Sequence, residues 1–255
     1  MSWNSWLSAI RKFNRFELKY LISYDTAHRL QQDLKKYVIP DSYSKNENGL
    51  YTLSSLYYDT DDYRFYREKI EWLKYRRKLR VRQYETQEWL NDDSIVYVEI
   101  KQRVDRTTQK RRVPMKYKEA MDFCNHLIIP QYDKRDEPTI FELYQFIKQN
   151  NLKPSCITSY MRNAYFGTDY DTGLRITFDT NIRYRKKNLD LADKEIWKFM
   201  ISPDMVIMEV KANERVPYRL TEMIAHYNFR LIRVSKYCQG LETSAAVPRS
   251  VYYLG

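Results

Sequence analysis

The stretch KLRVRQY, residues 78–84, sets Lys78, Arg80 and Arg82 in alternation with Leu79, Val81 and Gln83. On a helix, positions two apart point to different sides; on a strand they share a face. Read as a strand, the segment carries cations about 7 Å apart along one face and turns an apolar face toward a core. The same period recurs in RFELKYLI (15–22), YTLSSLYYD (51–59), KYRRKLRVRQY (74–84), IVYVEIKQRV (95–104), SYMRNAYF (159–166), LRITFDTNIRYR (174–185), VIMEVKA (206–212) and RLIRV (230–234). These segments are rich in Val, Ile, Tyr and Phe, as strands are.

Helical spacing falls between them, at 25–38, 117–128, 139–150 and 217–227. Asp25 is the expected N-cap of the first helix and Pro217 the first residue of the last. Most strands follow one another through short polar connections, which favours an antiparallel sheet over repeated βαβ units. About eight such strands can close into a barrel. With 43% hydrophobic residues in 255, five glycines and eight prolines, the composition is that of one globular domain. The segment YSKNENG, 43–49, reads as a mobile connection.

A formal net charge of +11 predicts attraction to polyanions. Cys124, Cys156 and Cys238 are odd in number and lack ligand spacing, so neither a disulfide framework nor a zinc site is expected. The chain shows no apolar run of bilayer length and no signal-peptide pattern, which predicts a cytoplasmic protein. Near the start, Trp3, Trp6, Leu7 and Ile10 lie at helical spacing before Arg11 and Lys12. Such a stripe docks on its own domain in the simpler reading and rests on a membrane surface or a membrane-protein partner in the other.

Three strands repeat Glu-x-Lys: Glu17 with Lys19, Glu99 with Lys101, and Glu209 with Lys211. Each pair shares a face, and the opposite faces are apolar. Either these are solvated faces or they line an enclosed polar interior. Arg162, Arg175, Arg183 and Arg185 extend the pattern. Carboxylates weaken a site for bare phosphate, whereas a metal-chelated phosphate chain needs hard oxygen ligands beside Arg and Lys. Mg²⁺ or Mn²⁺ reconciles the two signs. A nucleic-acid groove has no use for paired carboxylates, although 24 tyrosines offer stacking surfaces. There is no P-loop, kinase glycine loop or G-x-S-x-G, and His28, His126 and His226 fall in helical segments without an obvious nucleophile. What remains is phosphoryl transfer by positioning and charge neutralisation.

At these residues the chain resembles the catalytic domain of the vacuolar transporter chaperone (VTC) family, polyphosphate polymerases within the triphosphate tunnel metalloenzyme superfamily. The resemblance covers about residues 13–240, between a 1–12 amphipathic segment and a 241–255 tail. It rests on FELKY (16–20), LYYDT (56–60), LRVRQY (79–84), VEIKQR (98–103), YMRNAYF (160–166), LRITFDT (174–180), IMEVK (207–211) and SKY (235–237), in this order. It implies an α+β fold: an eight-stranded antiparallel β-barrel tunnel with surrounding helices. FELKY carries one Glu-x-Lys where the superfamily signature pairs two glutamates.

By motif, Lys19, Arg80, Arg82, Lys101, Arg162, Arg175 and Lys236 would bind phosphate, with Lys110 and Arg111 as further basic residues at a tunnel mouth. Glu209 would hold the metal, with Glu17 and Glu99 as additional candidates. Read as a strand, 230–236 puts Lys236 on the parity of Ile232 and Val234, off the polar face. The implied activity is a metal-dependent transfer of the ATP γ-phosphoryl group to polyphosphate, with ADP released and ATP and polyphosphate as partners. Hydrolysis of a triphosphate is the nearest alternative; a non-catalytic polyanion or nucleic-acid binding module is the second.

Overall fold

The computed structural model describes residues 15–41, 49–85, 90–105, 107–168, 171–193, 197–213 and 215–254. The terminal stripe and positions 43–48 of the expected connection lie outside them. The chain separates into two compact units. One takes residues up to 50 with 162–180 and 204–233, the other 51–161, 181–203 and 234 onward.

In the first unit the strand order is β1 (Arg15–Ser23), β10 (Met205–Asn213), β8 (Arg175–Arg185) and β7 (Lys153–Gly167), with β2 (Val38–Pro40) also on β7. β7 and β8 contribute residues to both units. Alternation gives this sheet a core face of Tyr20, Ile22, Ile176, Phe178, Val206, Met208 and Val210. Helix α1 (Tyr24–Leu34) covers it with Ala27, Leu30 and Leu34, spaced for one helical face. Its cap is Ser23, whose hydroxyl accepts from the Thr26 amide at 3.2 Å. The expected cap, Asp25, instead sits in the first turn, where it complements the helix dipole. In the later helix α5 (Tyr218–His226), Pro217 is the cap itself, one position earlier than expected.

The second unit orders β7, β3 (Leu50–Asp59), β4 (Tyr75–Glu85), β5 (Ile95–Val104) and β6 (Thr107–Lys116), with β9 (Lys198–Phe199) beside β8. The ladders β3/β4, β4/β5 and β5/β6 are antiparallel. Leu79, Val81, Val98, Ile100, Val113 and Met115 form the apolar face. It packs on Ala120 and Phe123 of α3 (Tyr117–His126) and on Ile140, Leu143 and Phe146 of α4 (Glu137–Asn150). The shorter helices are α2 (Arg64–Ile70) and α6 (Lys236–Thr243).

The architecture is mostly antiparallel sheet with helices against it. In neither unit does the described ladder close on itself, so it is an open sheet and not the closed barrel expected. Residues 230–234 form no strand: Leu231 makes an isolated bridge to Tyr20. β6 takes a place in the sheet that the sequence reading left empty. Cys124, Cys156 and Cys238 are buried free thiols, and burial pushes Cys156 up to about 12. No helix of the described residues is long and apolar enough to cross a membrane.

Leu79 has no exposed surface, whereas Leu73, just before β4, is 46% exposed. Leu79→Ala is expected to cost about 2–5 kcal/mol in urea unfolding, and Leu73→Ala less than about 0.5 kcal/mol. Equal costs would contradict the assigned faces.

Candidate functional site

The cations of β4 stand on the face opposite Leu79 and Val81, and register decides what meets them. Arg80 lies between Tyr57 on β3 and Glu99 on β5; Arg82 lies between Ser55 and Tyr97. Lys78 is opposite Lys101, and Lys101 is opposite Lys110 on β6. Three lysines thus stand abreast across three strands. Like charges directly opposite one another destabilise a sheet.

Arg80 and Arg82 are held differently. Arg80 donates from Nε to Glu99 Oε2 at 2.7 Å and from Nη1 to the Tyr57 hydroxyl at 3.2 Å. Lys110 Nζ reaches the other Glu99 oxygen at 3.3 Å. Arg82 donates to Ser55 Oγ at 3.1 Å and to the Tyr160 hydroxyl at 3.2 Å, so hydroxyl oxygens hold it without cancelling its charge. Lys236 Nζ sits 4.3 Å from the Tyr160 ring centroid. Lys236 is in the first turn of α6 and not on a strand, so the alternation rule does not apply to it.

Glu99 is almost fully buried, which opposes its ionisation; Arg80, Arg82 and Lys110 outweigh that and bring its carboxyl to about 2. With an oxygen on Arg80 and another on Lys110, it serves as their counter-charge. Arg111 is not brought to this face. Its register partner is Ile100, and its guanidinium is paired with Glu142 of α4 at 2.5 Å on the helix side.

The first unit carries a second group with more carboxylates. Across β1, β10 and β8, Glu17 faces Lys211 and Lys211 faces Arg175; one pair further on, Lys19 faces Glu209 and Glu209 faces Thr177. The signs therefore alternate along and between β1 and β10, whereas Lys211 and Arg175 are like charges side by side. Lys19 lies 3.1 Å from Glu17 and 3.8 Å from Glu209, and Lys211 lies 2.5 Å from Glu209. Arg162 holds Asp179 through two bonds of 2.6 and 2.8 Å, and Arg175 reaches Asp41 at 3.0 Å. Burial opposes the charge on both Lys19 and Glu209. The Glu209 and Glu17 charges nevertheless raise Lys19, and Lys19, Lys211 and Arg162 hold Glu209 well below the usual carboxylate range.

Among the described residues no three His, Cys, Asp or Glu form a ready-made metal cage. The donor set still fits a small hard cation. Such an ion binds through one or two carboxylates and completes its shell with substrate phosphate and water. Glu209 and Glu17 share a face, and beside Glu209 the buried Thr177 hydroxyl has no hydrogen-bond partner. Glu209, Glu17 and Thr177 are the oxygens that would hold Mg²⁺ or Mn²⁺.

Sequence reasoning did not single out Tyr57, Tyr160, Thr177 and Asp179 as site residues. Their parity was readable, but the pairing that makes them neighbours of Arg80, Arg82, Glu209 and Arg162 was not.

A family model described as VTC domain matches residues 14–245. Among solved structures, the chain is similar to a Bacillus halodurans protein provisionally assigned as an adenylate cyclase, at 15% identity over 86% of this chain and 92% of that one, with a TM-score of 0.48. It is also similar to the PH1819 protein of Pyrococcus horikoshii OT3, at 12% identity over 90% and 99%, with a TM-score of 0.46. No curated protein matches the chain significantly.

Glu99→Gln is expected to destabilise the fold at pH 7, because it leaves Arg80 and Lys110 without their counter-charge. Since Glu99 falls from 4.5 to about 2 on folding, its contribution is complete above pH 4.5 and lost as the pH drops toward about 2. Urea unfolding of both proteins across this range checks it. A stability gap that does not narrow below pH 4.5 would contradict the assignment.

Proposed function

Because the chain belongs to the VTC domain family, we propose that it is a phosphoryl-handling enzyme and, more narrowly, a metal-dependent polyphosphate polymerase using ATP. The observation that carries this reading is the row of Lys78, Lys101 and Lys110 beside the hydroxyl-held Arg82. Like charges set abreast are unfavourable by themselves and become favourable when a polyanion lies along them. A chain of phosphates supplies negative charge at a repeat that such a row can follow.

In this reading Arg80, Arg82, Lys101, Lys110 and Lys236 of one unit, and Lys19, Arg162 and Arg175 of the other, bind and neutralise phosphate. Guanidinium groups fixed by Glu99, Ser55, Tyr160 and Asp179 present preset forks, so less order has to be imposed on binding. A terminal phosphate oxygen of the acceptor forms a bond to the γ-phosphorus as the bond to the ADP oxygen breaks. No protein nucleophile is required. Glu209, Glu17 and Thr177 would hold a divalent ion, which would supply neutralisation of the triphosphate charge. Neutral pH keeps Glu209 ionised and Lys19 charged, as those roles require.

Incubation with ATP and Mn²⁺ or Mg²⁺ is expected to yield long-chain polyphosphate and ADP, with short polyphosphate primer shortening any lag. Stoichiometric free phosphate without polymer, with or without primer, would replace the polymerase with a triphosphatase. Tight, metal-independent and salt-sensitive polyanion binding without turnover would leave a binding module. Glu209→Gln is expected to lower metal-supported turnover by at least about 10²-fold; an unchanged rate and metal titration would remove Glu209 from the site. Lys110→Gln is expected to shorten the product on a gel, whereas Arg111→Gln, on the helix side of the sheet, leaves its length unchanged.

A further inference from the structure

Tyr57 is an aromatic residue on a face of cations. Its neighbours in sequence, Leu56 and Tyr58, are buried in the apolar core, while Tyr57 stands opposite Arg80 on the other side of the sheet. Its ring is held by stacking on Tyr237, with centroids 5.0 Å apart and planes at 29°. Tyr237 is itself fixed by donating to Asp59 at 2.5 Å and by a 3.1 Å bond to Ser155. The Tyr57 oxygen is therefore placed by a rigid stack.

The direction of its hydrogen bond matters more. Among the buried tyrosines of this unit, Tyr58 donates to Asn125 at 2.9 Å, Tyr66 to Glu242 at 2.9 Å and Tyr237 to Asp59, whereas Tyr160 accepts from Arg82 at 3.2 Å. Tyr57 accepts, from Arg80 Nη1 at 3.2 Å. A phenol that accepts from a guanidinium must turn its own proton away from it, and among the described residues the structure shows no acceptor for that proton. Next to Arg80 and Arg82, the group suited to take it is an anion.

We propose that Tyr57 is a further phosphate-binding residue, donating its hydroxyl to the phosphate that Arg80 engages. This rests on the phosphate-handling reading above and adds to it a neutral donor among charged ones. A neutral donor discriminates by protonation state: the phenol binds phosphate, whereas the phenolate repels it. The groups facing Tyr57 are Lys78, Arg80 and Arg82 from β4 and Tyr237 from α6, with Glu99 beyond Arg80. Burial alone would raise the Tyr57 phenol, but Arg80, Arg82 and Lys78 bring it down to about 8, so its protonation changes within an accessible pH range.

The test is inorganic tripolyphosphate binding by calorimetry, for the wild-type chain and Tyr57→Phe, from pH 6.5 to 9.5. The variant removes one oxygen and keeps the stack on Tyr237, so its melting temperature is expected to stay close to wild type. At pH 6.5 its Kd is expected to be about tenfold weaker, as for loss of a hydrogen bond to a charged group. The ratio of the two Kd values should fall toward one as the pH passes 8, because the wild type then loses the proton that the variant never had. Taking the ratio removes the titration of tripolyphosphate itself. Equal affinities at every pH, or a ratio that does not change with pH, would overturn the role of Tyr57 and leave the phosphate site standing. A wild-type chain that does not bind tripolyphosphate would overturn both.

Discussion

Burial of the apolar face of β4, β5 and β6 is the constraint on which the second unit depends, and it sets Lys78, Lys101 and Lys110 abreast on the other face. Each lysine lies on a strand whose alternate residues, Leu79, Ile100 and Val113 among them, are almost completely buried. Turning any of these strands over to relieve the repulsion would expose its core residues, and a slip of one position does the same. The apolar face therefore fixes the charged one. Desolvation of the leucine, isoleucine and valine side chains, worth about 1.5–3 kcal/mol each, exceeds the cost of aligned surface charge at the few tenths to 1 kcal/mol typical of a cross-strand pair. What results is a row of cations held in place by the fold, on a face that a chain of anions can follow.

The first unit solves the same problem differently. Glu17, Lys19, Glu209 and Lys211 alternate in sign, so this face is nearly self-compensated. A compensated face binds bare phosphate poorly, but its carboxylates can serve a divalent cation, and the orphaned Thr177 hydroxyl beside Glu209 fits that use. In the second unit Glu99 is engaged by Arg80 and Lys110, while Arg82 is hydrogen-bonded to the hydroxyls of Ser55 and Tyr160. The same Glu-x-Lys tripeptide thus has different roles, decided by what stands opposite: Arg80 for Glu99, Lys19 for Glu209.

The strands were legible wherever one face was apolar throughout, as in 78–84 or 206–212, because burial and alternation give the same period. β6 was not: TTQKRR is polar on both faces, and its buried Val113 and Met115 flank a proline. Proline is tolerated there because β6 ends its path and an edge strand can spare a donor. RLIRV has the composition of a strand yet makes a lone bridge, since pairing depends on a partner and not on the segment. Local pattern also misplaced Lys236, whose helix begins at the very residue that a strand reading would have run through. Arg111 was grouped with Lys110 by adjacency, although adjacent strand residues point to opposite faces. Whether a sheet closes into a barrel depends on pairing between strands distant in sequence, for which no local residue is diagnostic, and the described strands form an open path.

The central claim is that the two charged faces are built for phosphate and for a divalent ion. A crystal structure of the protein with tripolyphosphate and Mn²⁺, read with the anomalous signal of manganese, tests it most directly. The account predicts phosphate oxygens within hydrogen-bonding distance of Arg80 and Arg82, and manganese bound to a Glu209 oxygen. Tripolyphosphate confined to lysines elsewhere on the surface, or manganese bound away from Glu209, would contradict it.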